Sequence, residues 1–363
     1  MATSEDNFLK SDLVMRAESD DVTSGIFDRM REAGVTLTAQ PRNYSDIFAT
    51  WRSQRGMIAD HARTSSFERA IVAETKPGAV VVDLGSGSGI LSLFAARAGA
   101  SKVYGLEITD IASDAAEIAA DNGYASIVTF VQGDAAHFSC DEPIDLIVSE
   151  WAGLYLIDEW RHFATFCAIR DRLLRTGGRV IPQKASLFLA PIDNSQLYYE
   201  RGFGFWKNLI YGFDFSVAGR RQISAPRRII VEAQACSIID QYEVASISCG
   251  TDHVDALLFE REFSRKFRVA SVCHGFLGYF NLTLCPGVIL DTSPFSKQTH
   301  WKQSYFPIEE LFIAPEETLI FRIKTYLNDA VDQISLQLTV GVRRSDGSIT
   351  NKTYVYPIDN SYS

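Results

Sequence analysis

Apolar positions change rhythm along this chain. Between residues 80 and 182 they fall in short blocks separated by helical stretches; beyond 186 they alternate one by one with polar positions. Val80, Val81 and Val82 predict a buried strand ending at Asp83. Residues 90–98, rich in Ala and Leu, predict a helix with Gly99 as its C-cap. A second strand over 102–106 ends at Glu107. A helix over 111–122, a strand over 127–131 ending near Asp134, a buried strand over 144–149 and a helix over 163–174 complete an α/β unit. Pro182 closes it, with its peptide-bond isomer left open. Upstream, 43–75 predicts two short helices, with Tyr44, Phe48 and Trp51 on one apolar face that either packs or forms a lid. Pro77-Gly78 ends the second helix. Downstream, Leu319, Phe321 and Ile323 alternate, as do Ile334, Leu336, Leu338, Val340 and Val342, and Ser345-Asp346-Gly347 closes a hairpin. Residues 183–363 therefore read as a mostly antiparallel β domain. Residues 196–226 break the alternation with an aromatic-rich insertion, either a locally folded loop or an arm that buries its rings in a partner chain. Residues 1–40 read as a variable extension.

The chemistry gathers at strand ends. Gly85, Gly87 and Gly89 between the first strand and helix let a ligand approach main chain, since no Cβ intervenes. Their spacing is GxGxG, not the GxGxxG of dinucleotide binders. A pyrophosphate would be opposed by Asp83, whereas a sulfonium suits it, so S-adenosylmethionine (SAM) is favoured over a nicotinamide dinucleotide. Glu107 is placed to accept both hydroxyls of a ribose. Asp134 is either a receiver for an adenine amino group or a plain Gly-Asp turn. Glu150 and Glu159 bracket the segment after the fourth strand, and paired acids there can grip a guanidinium through bidentate bonds.

Composition narrows the class. With 363 residues, 46% of them hydrophobic, the chain can bury a large core and form two domains. A formal charge of −10 argues against direct nucleic-acid binding and favours basic partners such as Arg-rich segments. The six cysteines lack CxxC pairing and read as reduced, mostly buried thiols; no metal-ligand cluster is expected. The sequence contains no apolar run of membrane-spanning length and begins with a polar stretch, so no membrane association is expected. The expected compartment is the cytoplasm, with the nucleus as the alternative.

The βαβ unit, the Glu150–Glu159 loop, Thr292-Ser293-Pro294 and Thr299-His300-Trp301 together resemble the protein arginine N-methyltransferases, from Tyr44 to the C-terminus. The resemblance implies an α/β + β architecture: a SAM-binding Rossmann-like domain with N-terminal lid helices over 41–182, then a β-barrel over 183–363 carrying a dimerisation arm at 196–226. It implies cofactor contacts from Met57, Arg63, Asp83, Gly85, Gly87 and Glu107, with Arg63 pairing the SAM carboxylate and Met57 beside the sulfonium. Glu150 and Glu159 would clamp the target arginine. Asp60 and His300 would join the lid to the barrel, and Trp206, Tyr211 and Phe215 would anchor the arm on another subunit.

Departures from the family pattern cluster. Ser45 and Phe48 replace Phe and Tyr in the first lid helix, Gln54 stands for a cofactor-side His, and Arg52 and Gly56 are expected to interrupt that helix. Ala136 replaces an adenine-binding Glu. Ala152 and Leu154 replace Met and Tyr, and Trp160-Arg161 replaces Ser-Met. Arg161 is expected to occupy the oxygens of Glu150 and Glu159. The chain thus most resembles a degenerate, prozyme-type subunit: little or no turnover, weak or lost SAM binding, and activation of a competent arginine methyltransferase paralogue in a hetero-oligomer that acts on Arg-rich proteins. The alternative is an active SAM-dependent enzyme methylating Arg in RG-rich proteins or histones.

Overall fold

The computed structural model describes residues 48–153, 155–232, 240–328 and 333–358. Tyr44, Ser45, Leu154, Cys236 and the 1–40 extension lie outside these residues.

Five strands form a parallel sheet: β1 (Val80–Leu84), β2 (Lys102–Glu107), β3 (Val128–Gln132), β4 (Ile144–Ser149) and β5 (Leu174–Ile181). Their order, β3-β2-β1-β4-β5, puts the reversal of winding between β1 and β4. In such sheets the crevice beyond the strands' C-terminal ends at that reversal is the ligand-binding edge. Val81, Val82, Ile144, Leu146, Ile147 and Val148 are all buried, as strands covered on both faces require. Helices α1 (Trp51–Ala59) and α2 (His61–Glu74) precede the sheet; α3 (Ile90–Arg97), α4 (Ile111–Asp121) and α5 (Trp160–Leu173) lie between its strands.

Two details of α1 differ from expectation. Thr50 caps it by accepting from Ser53 N, so the helix begins at Trp51 and Phe48 lies ahead of it. Phe48 and Trp51 are both exposed, so the expected apolar packing face is not formed by these two. Trp51 instead donates Nε1–H to Asp114 Oδ2 at 2.7 Å. Nor does the helix break at Arg52 or Gly56. A Cβ at Gly56 would meet nothing within 4 Å, and the i→i−4 ladder runs through it at only a propensity cost. Helix α5 begins at Trp160, ahead of the expected 163, with Glu159 at its N-cap position but making no side-chain capping bond.

After the cis Ile181–Pro182 bond the chain turns antiparallel. One sheet contains β6 (Lys184–Ile192), β7 (Arg227–Ile229), β8 (Tyr242–Ser248), β10 (Ser271–Cys285), β11 (Val288–Asp291) and β12 (Gln303–Ile313). The other contains β9 (Glu260–Lys266), β13 (Thr318–Asn328), β14 (Gln333–Arg343) and β15 (Ile349–Pro357). Leu319, Phe321, Ile323, Leu336, Leu338 and Val340 point inward, giving a barrel-like core. This core is continuous with that of the parallel sheet. Polar ties reinforce the joint: Trp301 Nε1 donates to Ala152 O at 2.5 Å, Tyr155 Oη to Phe188 O at 2.9 Å, and the buried Arg170 to Cys249 O and Asp252 O at 2.8 and 2.7 Å. A hydrogen-bonded seam on a continuous apolar core disfavours independent motion of the halves.

Between β6 and β7 the chain forms α6 (Ser195–Arg201), a 3-10 turn over Phe203–Lys207 and α7 (Ser216–Gln222). Trp206 is half-buried here and donates to Gln222 Oε1 at 2.7 Å, so it stitches the segment together. Tyr211, by contrast, is 97% exposed, and Leu209, Phe213 and Phe215 are exposed as well. Among the described residues no helix is long and apolar enough to cross a membrane.

Candidate active site

The C-terminal edge of the parallel sheet collects most of the residues singled out above. Between β1 and α3, Gly85, Gly87 and Gly89 all have positive φ, at 74°, 50° and 78°. An L side chain would be strained at each. Space is short as well: a Cβ at Gly89 would lie 2.6 Å from Phe130 Cζ, and one at Gly87 would lie 2.8 Å from both amide heavy atoms of Gln54. The loop is held from β2, where Glu107 Oε2 accepts from Gly87 N at 2.8 Å. Its Oε1 accepts from Thr109 N and Thr109 Oγ1, each at 2.9 Å.

Asp83, next to last in β1, is fully buried. Its Oδ2 accepts from Ser92 Oγ at 2.7 Å, while Oδ1 is buried with no hydrogen-bond partner among the described residues. Desolvation pushes its carboxyl up to about 6, against the hydrogen bonds from Ser92. A buried, half-satisfied acid of this kind calls for a cationic or donor group beyond the described residues.

Gln54 is the one buried residue of α1. Its Oε1 accepts from Ser88 N at 3.1 Å and its Nε2 donates to Phe48 O at 2.8 Å, so the lid helix is tied to the glycine loop. From the opposite end of the sequence unit, His162 on α5 approaches the loop too. A Cβ at Gly85 would stand 2.6 Å from His162 Cε1, and His162 Nε2 lies 3.3 Å from Ser149 Oγ. Burial holds this imidazole below its ordinary value, against the pull of the Glu150 and Glu107 carboxylates. Sequence reasoning passed over His162. Its position three residues after Glu159, on the first turn of α5, was the available signal.

Glu150 directly follows β4. Its Oε2 accepts from Arg63 Nε at 3.1 Å and Arg63 Nη2 at 2.9 Å; its Oε1 accepts from Ala152 N at 2.9 Å. Both side chains are less than a tenth exposed. The guanidinium on Glu150 is thus that of Arg63. Arg161, expected there, extends its own guanidinium over the Trp160 ring at 4.5 Å from the ring centre. Glu159 stands at the N-cap position of α5, and burial pushes its carboxyl up to about 7. Met57 contributes its carbonyl, which accepts from Thr64 Oγ1 at 3.1 Å.

Asp60 joins the two halves. Its Oδ1 accepts from Arg63 N at 3.0 Å and caps α2, and its Oδ2 accepts from His300 N at 2.8 Å and lies 2.8 Å from His300 Nδ1. Burial opposes its ionisation, but hydrogen bonds from the His300 side chain and from the Arg63 and His300 backbones outweigh it, holding the carboxyl below its ordinary range. Asp134 stands somewhat apart. It caps the 3-10 turn Ala135–His137 by accepting from Ala136 N at 2.9 Å, and with Leu106, Val131 and Phe138 it lines a cleft of about 300 Å³. No group of three or more potential metal ligands occurs among the described residues.

Comparison with known proteins agrees with this arrangement. Residues 183–340 match the arginine methyltransferase oligomerization subdomain, and residues 81–178 match a methyltransferase domain. Protein arginine N-methyltransferase 1 of Schizosaccharomyces pombe is 34% identical over 287 residues, covering 76% of this chain and 82% of the relative. The rice (Oryza sativa subsp. indica) protein of the same name is 32% identical over 291 residues, covering 76% and 72%. Among solved structures, a chain of the Trypanosoma brucei PRMT1 enzyme-prozyme heterotetrameric complex with AdoHcy superposes with a TM-score of 0.77 at 29% identity, covering 85% of this chain and 99% of that one. Arabidopsis thaliana protein arginine methyltransferase 10 shares the fold, with a TM-score of 0.74 at 24% identity over 87% of this chain and all of that one. With sheet order, site and both matched regions in accord, the chain belongs to the protein arginine N-methyltransferase family.

Proposed function

We propose that this chain is a regulatory subunit of an arginine methyltransferase: it has little or no turnover of its own, and it complexes with a competent paralogue and raises that partner's activity. The observation that carries the reading is the state of the two glutamates. Glu150 already holds a guanidinium from within the chain, that of Arg63, and Glu159 is half-buried with its carboxyl pushed up to about 7. A guanidinium needs two open carboxylates to be gripped and polarised. The similarity to a chain of an enzyme-prozyme heterotetramer supports the same reading, as does the oligomerization subdomain. Arg-rich proteins would then be methylated at the partner's site, in the cytoplasm or nucleus.

The cofactor edge fits SAM in its charges. Asp83, with one oxygen unsatisfied, would take a cationic group, Glu107 would take ribose hydroxyls, and Asp134 would flank the base in the adjoining cleft. When bound, SAM supplies a methyl group on a sulfonium. Around it, Asp60 and His300 would brace the lid against the barrel, and Arg63 would divide its guanidinium between Glu150 and the cofactor's carboxylate. Gln54 counts against tight binding: its neutral amide sits on the glycine loop where the family resemblance calls for a histidine, and Ala136 offers no carboxylate to an adenine. Each missing charged hydrogen bond weakens binding by about 1.5–3 kcal/mol.

A second reading, an active enzyme, is favoured by the same unsatisfied Asp83 oxygen, which a bound SAM would complete. Isothermal titration of the purified chain with SAM separates the two. The regulatory reading expects binding weaker than micromolar, and micromolar or tighter binding by the lone chain overturns it.

A further inference from the structure

At the root of the arm lies a buried histidine that the site above does not use. His274 on β10 is 3% exposed. Its Nε2 is 3.1 Å from Glu310 Oε2 on β12, a carboxylate that also accepts from the Tyr199 hydroxyl. Its Nδ1 faces two groups with opposite demands. The Asn194 backbone N–H, a donor, is at 3.2 Å, and the Asp193 carboxylate oxygen Oδ1, an acceptor, is at 3.0 Å. One ring nitrogen cannot serve both. Unprotonated, it accepts from Asn194; protonated, it donates to Asp193.

The choice matters because Asn194 is the N-cap of α6, the first element of the arm. Its side-chain Oδ1 accepts from Leu197 N at 2.9 Å. The imidazole itself is fixed. The Tyr198 ring packs against it with centres 4.8 Å apart, and Tyr305 Oη donates to the His274 carbonyl at 2.6 Å. Movement on protonation therefore falls on the Asp193–Asn194 segment.

The other titratable groups facing this node each keep one state. From β12, Glu310 stays a carboxylate: burial opposes its ionisation, but hydrogen bonds from Tyr199 and His274 outweigh it and hold it below its ordinary value. Tyr305 on the same strand is pushed up by burial and stays neutral, as does the neighbouring thiol of Cys273 on β10. From α6, Tyr198 accepts from Glu310 N at 3.0 Å. Two cations stand nearby: Lys207 rests its ammonium over the Tyr198 ring at 5.4 Å, and Arg227 on β7 acts on Tyr305.

We infer that His274 is a proton-operated latch at the arm's root, holding the Asn194 backbone when neutral and the Asp193 carboxylate when protonated. Its consequence for assembly rests on the reading of residues 196–226 as a subunit-contacting arm. Nitrogen-15 NMR of the histidines in the full chain, with amide exchange at Asn194 and mass by light scattering, tests it between about pH 8 and about pH 5, the range over which imidazoles change charge. Nδ1 is expected to pass from acceptor to protonated donor as pH falls, with the Asn194 protection factor dropping about tenfold or more. In D193N, which keeps the fold's volume but removes the charged acceptor, the drop in protection should be at least halved. An Nδ1 that keeps one state throughout, or an Asn194 amide indifferent to its change, overturns the latch. If the latch operates while the mass of the assembly is indifferent both to pH and to loss of the arm, the latch stands and the arm reading falls.

Discussion

At the C-terminal edge of the parallel sheet, Arg63 meets Glu150, His300 meets Asp60, and Gly87 N meets Glu107. On the arm, Leu209, Tyr211 and Phe213 stand in solvent at 70%, 97% and 69% exposure. The first region answers most of its own charges within the chain; the second leaves its apolar surface for something else to cover. A large unburied apolar cluster on an otherwise well-packed protein marks an interaction site. The contrast is what a subunit that works by association should look like: chemistry internally quenched, contact surface kept open.

The largest effect should come from removing that surface. Changing Leu209, Tyr211 and Phe213 together to Ser should leave the two sheets folded, because none of the three side chains is in the core. It should also abolish or severely weaken assembly with itself or a co-expressed paralogue. Each side chain buried on association contributes about 1.5–3 kcal/mol, so losing three costs several orders of magnitude in affinity. Unchanged mass by light scattering would remove the difference between the two regions.

A smaller effect concerns a charge that the edge does not answer. Asp83 ionises near pH 6 in the folded chain and near its ordinary 3.8 when unfolded. Because the unfolded chain loses this proton first, stability falls as pH rises from about 4 to about 6 and is flat above. D83N removes the burden and should be the more stable protein at pH 7, by about 3 kcal/mol, the free energy of keeping a carboxylate ionised in a place that resists its charge this strongly. Thermal melts of both proteins across that interval should diverge as pH rises. If D83N instead loses ground with rising pH, the acid is already neutralised inside the chain.

Legibility in the sequence followed the same division. β1, the glycine loop, α3 and β2 were readable because parallel strands buried on both faces leave unbroken Val and Ile runs and because glycines mark the turn. The barrel was readable from Leu319–Ile323 and Ile334–Val342, where one face is core and the period is two. Pairings across distance were not. Asp60 and His300 are 240 residues apart and meet because β10 and β11 pack against α2; the resemblance suggested the pair, but local pattern did not. Arg63 reaches Glu150 across 87 residues, so local pattern could not show that the guanidinium on Glu150 is that of Arg63. Trp206 looked like its neighbours Tyr211 and Phe215 in composition, and only the fold of the arm brought Gln222 within reach of its indole.

The smallest predicted effect tests the central claim most directly. Glu150 and Glu159 are both changed to Gln in this chain, the mutant is assembled with an active arginine methyltransferase paralogue, and the complex's methylation rate is measured beside that of the unmutated complex. A chain that acts by association should leave assembly and rate nearly unchanged, while the equivalent changes in the partner abolish methylation. Loss of methylation on changing this chain alone, with the complex intact, would show that its own glutamates do the catalysis and would contradict the account.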